Sequence, residues 1–422
     1  MNILEIIQKK HENQILTAEE IDYFVQGYTK GLICDEDATK LLKLICKYGL
    51  TDTETIFLTK SMIQSGDIID LSKVQGIKVD KHSTGGVSDT TSIALVPLLA
   101  CMGLKVAKMS GRGLGFTGGT IDKLCVFDGI KLEQSEENII NIVNKIGGVI
   151  VSQTGNIAPA DKKIYALRDV TDTVQSIPLI ASSVMSKKIA CNNDIIVLDI
   201  KVGDGAFMKT ISEARALAKL CISIGESYGK KVSAIISNMD TPLGQTVGCA
   251  LETKEAIAVL QGAQGHLTDM VFALFAKTIQ LAGIECDAKA EFDHLISSGK
   301  ALNKLKEIIS SLGGSLDFFD KELTPVGMFY ANKDGFIHNI LSEKLANIVN
   351  DLGGGRKKVD DVIDLYVGIK LCVDIGDYVK KGDCLALLYN IPNITQVCNK
   401  LEDVIILSED RPKISPLILD IL

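Results

Sequence analysis

Apolar positions over the first 65 residues recur every third or fourth place, the period of a helix with one buried face. Thr17 and Glu20 form a capping box ahead of Ile21, Phe24, Val25 and Tyr28, and Thr51 with Glu54 repeats the device. Gly66 stands where a helix C-terminal cap is expected. The pattern predicts a helical lobe over residues 1–66. Beyond it the period changes. GIKVD, LKVAKMS, GVIVSQT, DIIVLDIKV and KVSAIISN are short β-rich runs, separated by helical stretches such as SEARALAKLCISIGESYG. Strands alternating with helices imply an α/β lobe, with a largely parallel or mixed sheet flanked by helices, over residues 67–159 and 191–335.

The stretch from Ala160 to Ala190 interrupts that alternation and reads as helical over its second half. Packed back against the N-terminal helices, it makes the helical lobe discontinuous in sequence. From about residue 345 to 422 the pattern changes again. VGIKLCVDIGDYVKKGDCLALL sets two turns, Gly376-Asp377 and Gly382-Asp383, between short apolar runs, which predicts a small β-rich C-terminal lobe of α+β character. Biotinyl and lipoyl carriers use similar turns, but no modifiable Lys sits at a suitable hairpin, so the lobe reads as structural.

Composition narrows the class. Of 422 residues, 46% are apolar and 23% charged, the balance of a globular protein with room for several domains. The net charge of −8, with Lys scattered among acids, argues against a nucleic-acid surface, so an anionic ligand requires a local site. The N-terminus shows no signal-peptide pattern, and no apolar run approaches membrane-spanning length. Eleven Cys without CxxC pairs, Cys46, Cys101 and Cys221 among them, read as buried reduced thiols of a cytoplasmic protein.

The chemistry concentrates between Lys81 and Thr120. KHSTGGVSD follows one predicted strand, which is expected to end near Asp80, and SGRGLGFTGGT follows another. Both turns therefore lie at the carboxyl ends of strands, where open α/β sheets bind ligands. Glycines let backbone N–H groups face an anion, Ser83, Ser92, Ser110 and Thr120 add hydroxyl donors, and Lys81 and Lys108 add charge. The spacing matches neither a P-loop nor a dinucleotide fingerprint. Two turns converging on one phosphate-sized anion is the economical reading.

KHSTGGVSD, SGRGLGFTGGTIDKL, DKKIYALRDVTDTVQSIPLIASSVMSKKIA and IVLDIKVGDGAFMK resemble the motifs of pyrimidine nucleoside phosphorylases and thymidine phosphorylases, along essentially the whole chain. The resemblance implies phosphorolysis of uridine, thymidine and deoxyuridine to free base and a (deoxy)ribose 1-phosphate. It implies that Lys81, Ser83, Ser92, Lys108, Met109, Ser110 and Thr120 surround phosphate, and that His82, Tyr165, Arg168, Ser183 and Lys187 face the nucleoside. His82, Arg168, Ser183 and Lys187 are then the catalytic set, with no covalent intermediate. It further implies a potassium ion at Ser88, Thr90, Leu243, Thr246 and Glu255, inorganic phosphate as co-substrate, no organic cofactor, and a homodimer through the helical lobe.

The chain departs from that pattern in places. Ser88 stands where Gly is usual, Phe116 where His is common, and Cys125 where Glu is common. Lys108 matches the broad-specificity enzymes, whereas thymidine phosphorylases commonly carry Met there. Lys188, beside Lys187, reads as solvated. Competing readings are a thymidine-specific phosphorylase, an anthranilate phosphoribosyltransferase of related fold, and a degenerate module that binds nucleoside or phosphate without catalysis.

Overall fold

The computed structural model describes residues 1–113, 118–153, 157–356, 358 and 361–422. Four helices open the chain: α1 (Ile3–His11), α2 (Ala18–Thr29), α3 (Asp35–Tyr48) and α4 (Asp52–Gln64). Both capping boxes close. Glu20 accepts from the Thr17 N–H at 2.7 Å and Glu54 from that of Thr51 at 2.7 Å, while each Thr hydroxyl accepts from the N–H of its partner Glu. Glu54 has a second role, because its buried carboxylate also pairs with Lys10 at 3.2 Å and ties α1 to α4. Ser65, rather than Gly66, caps the end of α4.

The α/β lobe follows as β1 (Val79–Ser83), α5 (Thr91–Cys101), β2 (Val106–Ser110), α6 (Thr120–Leu124), α7 (Glu136–Ile146) and β3 (Gly148–Ser152). After α8 (Pro159–Val170) and α9 (Ile177–Ala190), it resumes with β4 (Ile195–Val202), α10 (Ile211–Ser227) and β5 (Lys231–Asn238). Strands β1, β4 and β5 pair in parallel, as do β2 and β3. A bridge between Lys78 and Lys105 joins the two groups. The five carboxyl ends thus face one way, and this is what brings the two glycine-rich turns together. β1 runs on to Ser83, three residues beyond the expected end, so Lys81 and His82 lie on a strand and not in a loop.

The interruption consists of two helices, not one helical second half. Arg168 explains the break between them: its guanidinium, 1% exposed, donates to the carbonyls of Thr173, Val174 and Leu179 at 3.1, 2.6 and 3.1 Å. The carbonyls of Thr173 and Val174, between the helices, turn inward toward a buried cation instead of continuing α8, and that of Leu179 joins them from the first turn of α9. Ala160, Ile164, Leu167 and Leu179 pack in one core with Ile6, Val25, Leu41 and Leu58 of the N-terminal helices.

The remaining strands are β6 (Thr246–Val247), β7 (Gly327–Tyr330), β8 (Gly335–Ile340), β9 (Gly368–Leu371), β10 (Tyr378–Val379), β11 (Cys384–Tyr389), β12 (Ile405–Ser408) and β13 (Ile418–Ile421). They form a four-stranded sheet, β6-β9-β11-β7, and a three-stranded sheet, β10-β8-β12, around a separate core that includes Ile337, Ile369, Leu388 and Leu401. Apart from β6, which comes from within residues 191–335, the strands of this lobe start at Gly327, ahead of residue 345, because β7 and β8 supply the antiparallel partners of β11 and β12. It also ends before the chain does. β13 returns to lie antiparallel against β5, which makes the main sheet mixed. Both Gly-Asp turns need glycine's left-handed freedom, with φ of 88° at Gly376 and 94° at Gly382. The Asp of each accepts the N–H three residues back, at 2.8 Å.

Among the described residues, no helix is long and apolar enough to cross a membrane. All eleven Cys are free thiols, but only Cys191, Cys221 and Cys249 are buried; Cys46 lies at the surface, contrary to expectation, because its helix turns that face outward.

Candidate functional site

Successive side chains of a strand point to opposite faces, so β1 sends Asp80 and Lys81 into different ion-pair groups. On one side, the buried carboxylate of Asp80 lies 2.7 Å from the ammonium of Lys188 and 3.4 Å from that of Lys108. Lys188 is therefore not solvated: it is 4% exposed, and α9 aims it at the sheet. Burial works against its charge, but Asp80 outweighs burial and holds the ammonium above its usual range. Lys108, which also donates to the Lys81 carbonyl at 2.8 Å, has only a share of that carboxylate. Burial, together with the nearby Lys188 and Lys81, brings it from 10.5 down to about 7.

On the other side, Lys81 donates to the Thr91 hydroxyl at 2.6 Å and pairs with Asp89 at 3.4 Å and Asp199 at 3.3 Å. Asp199, on β4, also pairs with the wholly buried Lys201 at 2.8 Å and accepts from Ser237 at 2.8 Å. Burial opposes the charge of Asp89, yet Lys81 and Lys201 hold its carboxyl well below the usual range. Lys123 fixes the two turns to one another. Its ammonium, 1% exposed, donates to the Asp89 carbonyl of the first turn at 2.8 Å and pairs with Glu252 at 2.7 Å.

Between the turns lies a cleft of about 200 Å³. Of the expected residues, Lys81, His82, Ser83, Ser92, Lys108, Met109, Ser110, Thr120 and Lys187 line it. The cleft also takes in Asp89, Arg112 and Lys188, which lie within the quoted motifs, and Gln153 after β3. His82 lines it together with four lysines. Burial first, then Lys188, Lys108, Lys187 and Lys81, hold its imidazole well below its ordinary range, so it is neutral at pH 7 and offers an N–H rather than an acidic imidazolium.

Three expected residues do not line the cleft. Ser183 lies one helical turn from Lys187 on α9 and accepts its ammonium at 3.2 Å. Arg168 is committed to its three carbonyls through three of its five N–H groups, which leaves two for another acceptor. Tyr165 is exposed at 39%, its ring 5.7 Å from the Arg168 guanidinium carbon. Phe116 lies outside the described residues.

Of the expected cation residues, Ser88, Leu243, Thr246 and Glu255 are linked by hydrogen bonds that join the first turn to residues 243–246 and to α11 (Cys249–Leu260). Ser88 takes the left-handed conformation, φ 60°, in a buried position, and its hydroxyl accepts from the Gly244 N–H at 3.1 Å. The side chain thus spans two loops rather than crowding one. Glu255 accepts from the N–H groups of Gln245 and Thr246 at 2.7 and 3.1 Å, and from the Thr246 hydroxyl. Leu243 donates its N–H to the Val87 carbonyl at 3.1 Å. The buried hydroxyl of Thr90 has no hydrogen-bond partner among the described residues. An orphaned buried hydroxyl and an oxygen-only donor set of hydroxyls, carbonyls and one carboxylate are chemically of the kind that suits a large monovalent ion. The set does not resemble a transition-metal site, since no group of three His, Cys, Asp or Glu is assembled among the described residues.

Family models match the chain in three pieces. They are the helical bundle domain of a glycosyl transferase family over residues 4–66, its a/b domain over 75–302, and a pyrimidine nucleoside phosphorylase C-terminal domain over 336–408. Among solved structures, the chain is similar to an anthranilate phosphoribosyltransferase from Thermus thermophilus. The TM-score is 0.59 at 17% identity, covering 73% of this chain and 99% of that one, which is a likeness of fold. Sequence relatives are nearer. A pyrimidine-nucleoside phosphorylase of Staphylococcus haemolyticus is 47% identical and one of Staphylococcus epidermidis 48%, each with 96% of both chains covered. One of Staphylococcus aureus is 46% identical, with 97% of both covered. Identity of this order along nearly the full length, with family models matching all three lobes, leaves one assignment: the chain belongs to the pyrimidine-nucleoside phosphorylase family.

Proposed function

We propose that the protein cleaves pyrimidine nucleosides by phosphorolysis, with phosphate between the glycine turns and the base toward α8 and α9. The observation that carries this reading is the single cleft shared by both turns, His82 and Lys187. Phosphate bears at least one negative charge, and the cleft offers it Lys81, Lys108 and Lys188 with hydroxyl donors from Ser83, Ser92, Ser110 and Thr120. As the glycosidic bond breaks, positive charge develops on the sugar and negative charge on the departing base. Lys187, Arg168 and the neutral N–H of His82 are of the right kind to meet that negative charge, with Ser183 holding Lys187. Donors aimed at charge that appears only in the transition state are worth about 10²–10³ in rate each. Phosphate attacks the anomeric carbon from the opposite face, and alignment in a water-poor cleft lowers the barrier further.

Lys108 favours a broad choice of sugar, since a polar side chain beside phosphate tolerates a ribose 2′-hydroxyl. Uridine, deoxyuridine and thymidine are the proposed substrates. Ser88, Thr90, Leu243, Thr246 and Glu255 would hold a potassium ion, which would supply fixed positive charge behind the first turn. A homodimer through the helical lobe is part of the same reading, and exposed Leu4 and Tyr23 on that lobe support it. The test is release of free base from uridine, thymidine and deoxyuridine, with and without phosphate. Base release that ignores phosphate rejects the reading, and uridine inert beside active thymidine rejects the broad specificity.

A further inference from the structure

We infer that Asp161 is a positioning residue of the pyrimidine side of the cleft, acting through Lys187; the inference rests on the phosphorolytic reading above. Asp161 lies in the first turn of α8 and is 3% exposed. One carboxylate oxygen is 2.6 Å from the ammonium of Lys187. The other oxygen is buried without a hydrogen-bond partner among the described residues. Asp161 is the third residue of α8, behind the N-cap Ala158, and makes no capping bond. Among the described residues, the one group bonded to this carboxylate is Lys187.

A buried carboxylate half-satisfied in this way is expensive to keep in a fold, and capping does not account for it. Positioning does. Lys187 is a charge on a flexible four-carbon stem, and its neighbours in the cleft, Lys188 and Lys108, repel it. Without a counter-ion the ammonium swings outward to water, since its side chain is already 26% exposed. Asp161 fixes it from below while Ser183 fixes it from the same helix at 3.2 Å. Tyr165 and Arg168 follow Asp161 at four and seven residues, so all three lie along one stripe of α8. The carboxylate therefore also offsets Arg168, and keeps two cations close to a ligand that is neutral until its bond to the sugar breaks. A cation held in place before negative charge develops is worth more than one recruited from solvent.

The test uses Asp161→Asn, which keeps shape and removes charge, and Asp161→Glu, which keeps charge and lengthens the arm. In the full chain, Asp161→Asn is expected to lower kcat/KM for uridine about 10²-fold, the loss that a misplaced group of this kind produces. KM for phosphate should stay within about twofold, and Asp161→Glu should recover part of the loss. A second readout does not depend on activity: acetylation of Lys187 by acetic anhydride, followed by mass spectrometry of the peptide. It should be several-fold faster in Asp161→Asn, because the ammonium loses its carboxylate. Unchanged labelling overturns the inference. So does an equal rise in both KM values accompanied by a lower melting temperature, which marks general loosening. If the parent protein shows no phosphate-dependent base release, the phosphorolytic reading fails, and with it the role of Asp161 in the reaction. The labelling arm then still decides whether Asp161 holds Lys187.

Discussion

Replacing Lys108 with Met removes a charge that the fold holds at a disadvantage. In the unfolded chain this ammonium titrates near 10.5, whereas burial brings it to about 7 in the folded protein. That displacement corresponds to roughly 4–5 kcal/mol opposing folding near neutral pH, at about 1.4 kcal/mol per pH unit. Met has a similar length and no charge, so the opposing term disappears. Something is lost in return. The Lys81 carbonyl, which accepts from Lys108 at 2.8 Å, loses a partner, and Asp80 loses one of two cations. A buried group left without its partner costs about 1–3 kcal/mol. The difference favours Lys108→Met by about 1–4 kcal/mol near pH 7.

The sign with pH follows from the depressed value. Below about 7 both states carry the proton and the full opposing term acts. Between about 7 and 10.5 the folded state must release a proton that the unfolded state keeps, so the term shrinks as pH rises. Urea unfolding midpoints of parent and variant, at about pH 6 and about pH 9, measure this directly. The variant should be the more stable at the lower pH, with the gap closing or reversing at the higher. A variant less stable than the parent at about pH 6, or a gap that does not move with pH, refutes the reasoning. The same variant should lose uridine turnover relative to thymidine. Lys108 would then be retained for its chemistry at the expense of stability.

Arg168→Ala should lower both turnover and stability, because the guanidinium holds three carbonyls between α8 and α9. A loss of about 4 kcal/mol or more in unfolding free energy is expected, and a fold as stable as the parent would show that those bonds carry little. Ser88→Gly relieves about 1 kcal/mol of left-handed backbone strain but leaves the buried Gly244 N–H without its acceptor, which costs more. A net loss of about 1 kcal/mol by urea midpoint is expected, and a stabilised variant would mean that strain dominates. Lys81→Ala should raise the phosphate concentration needed for half-maximal rate; an unchanged phosphate saturation curve counts against the first turn as the anion site.

Relations between near neighbours in the chain are legible from the residues alone. Capping boxes at Thr17 and Thr51 are three-residue relations, and both close as written. The Gly-Asp turns at Gly376 and Gly382 are local for the same reason. Alternation of β-rich and helical runs was enough to set strands in parallel, and parallel strands put the turns after β1 and β2 on one edge. Which charges meet is settled only when the chain packs. Asp80 and Lys188 are 108 positions apart, and nothing around Lys188 marks it as buried; it is so because α9 crosses the strand that carries Asp80. Asp161 and Lys187 belong to different helices, and Arg168, expected from the motif to face the nucleoside, bonds three backbone carbonyls, which the motif does not announce. The return of β13 to β5 is equally invisible from its own residues. Periodicity reports which face of an element is apolar, but a buried ion pair depends on which faces are brought together, and that is a property of the packed chain.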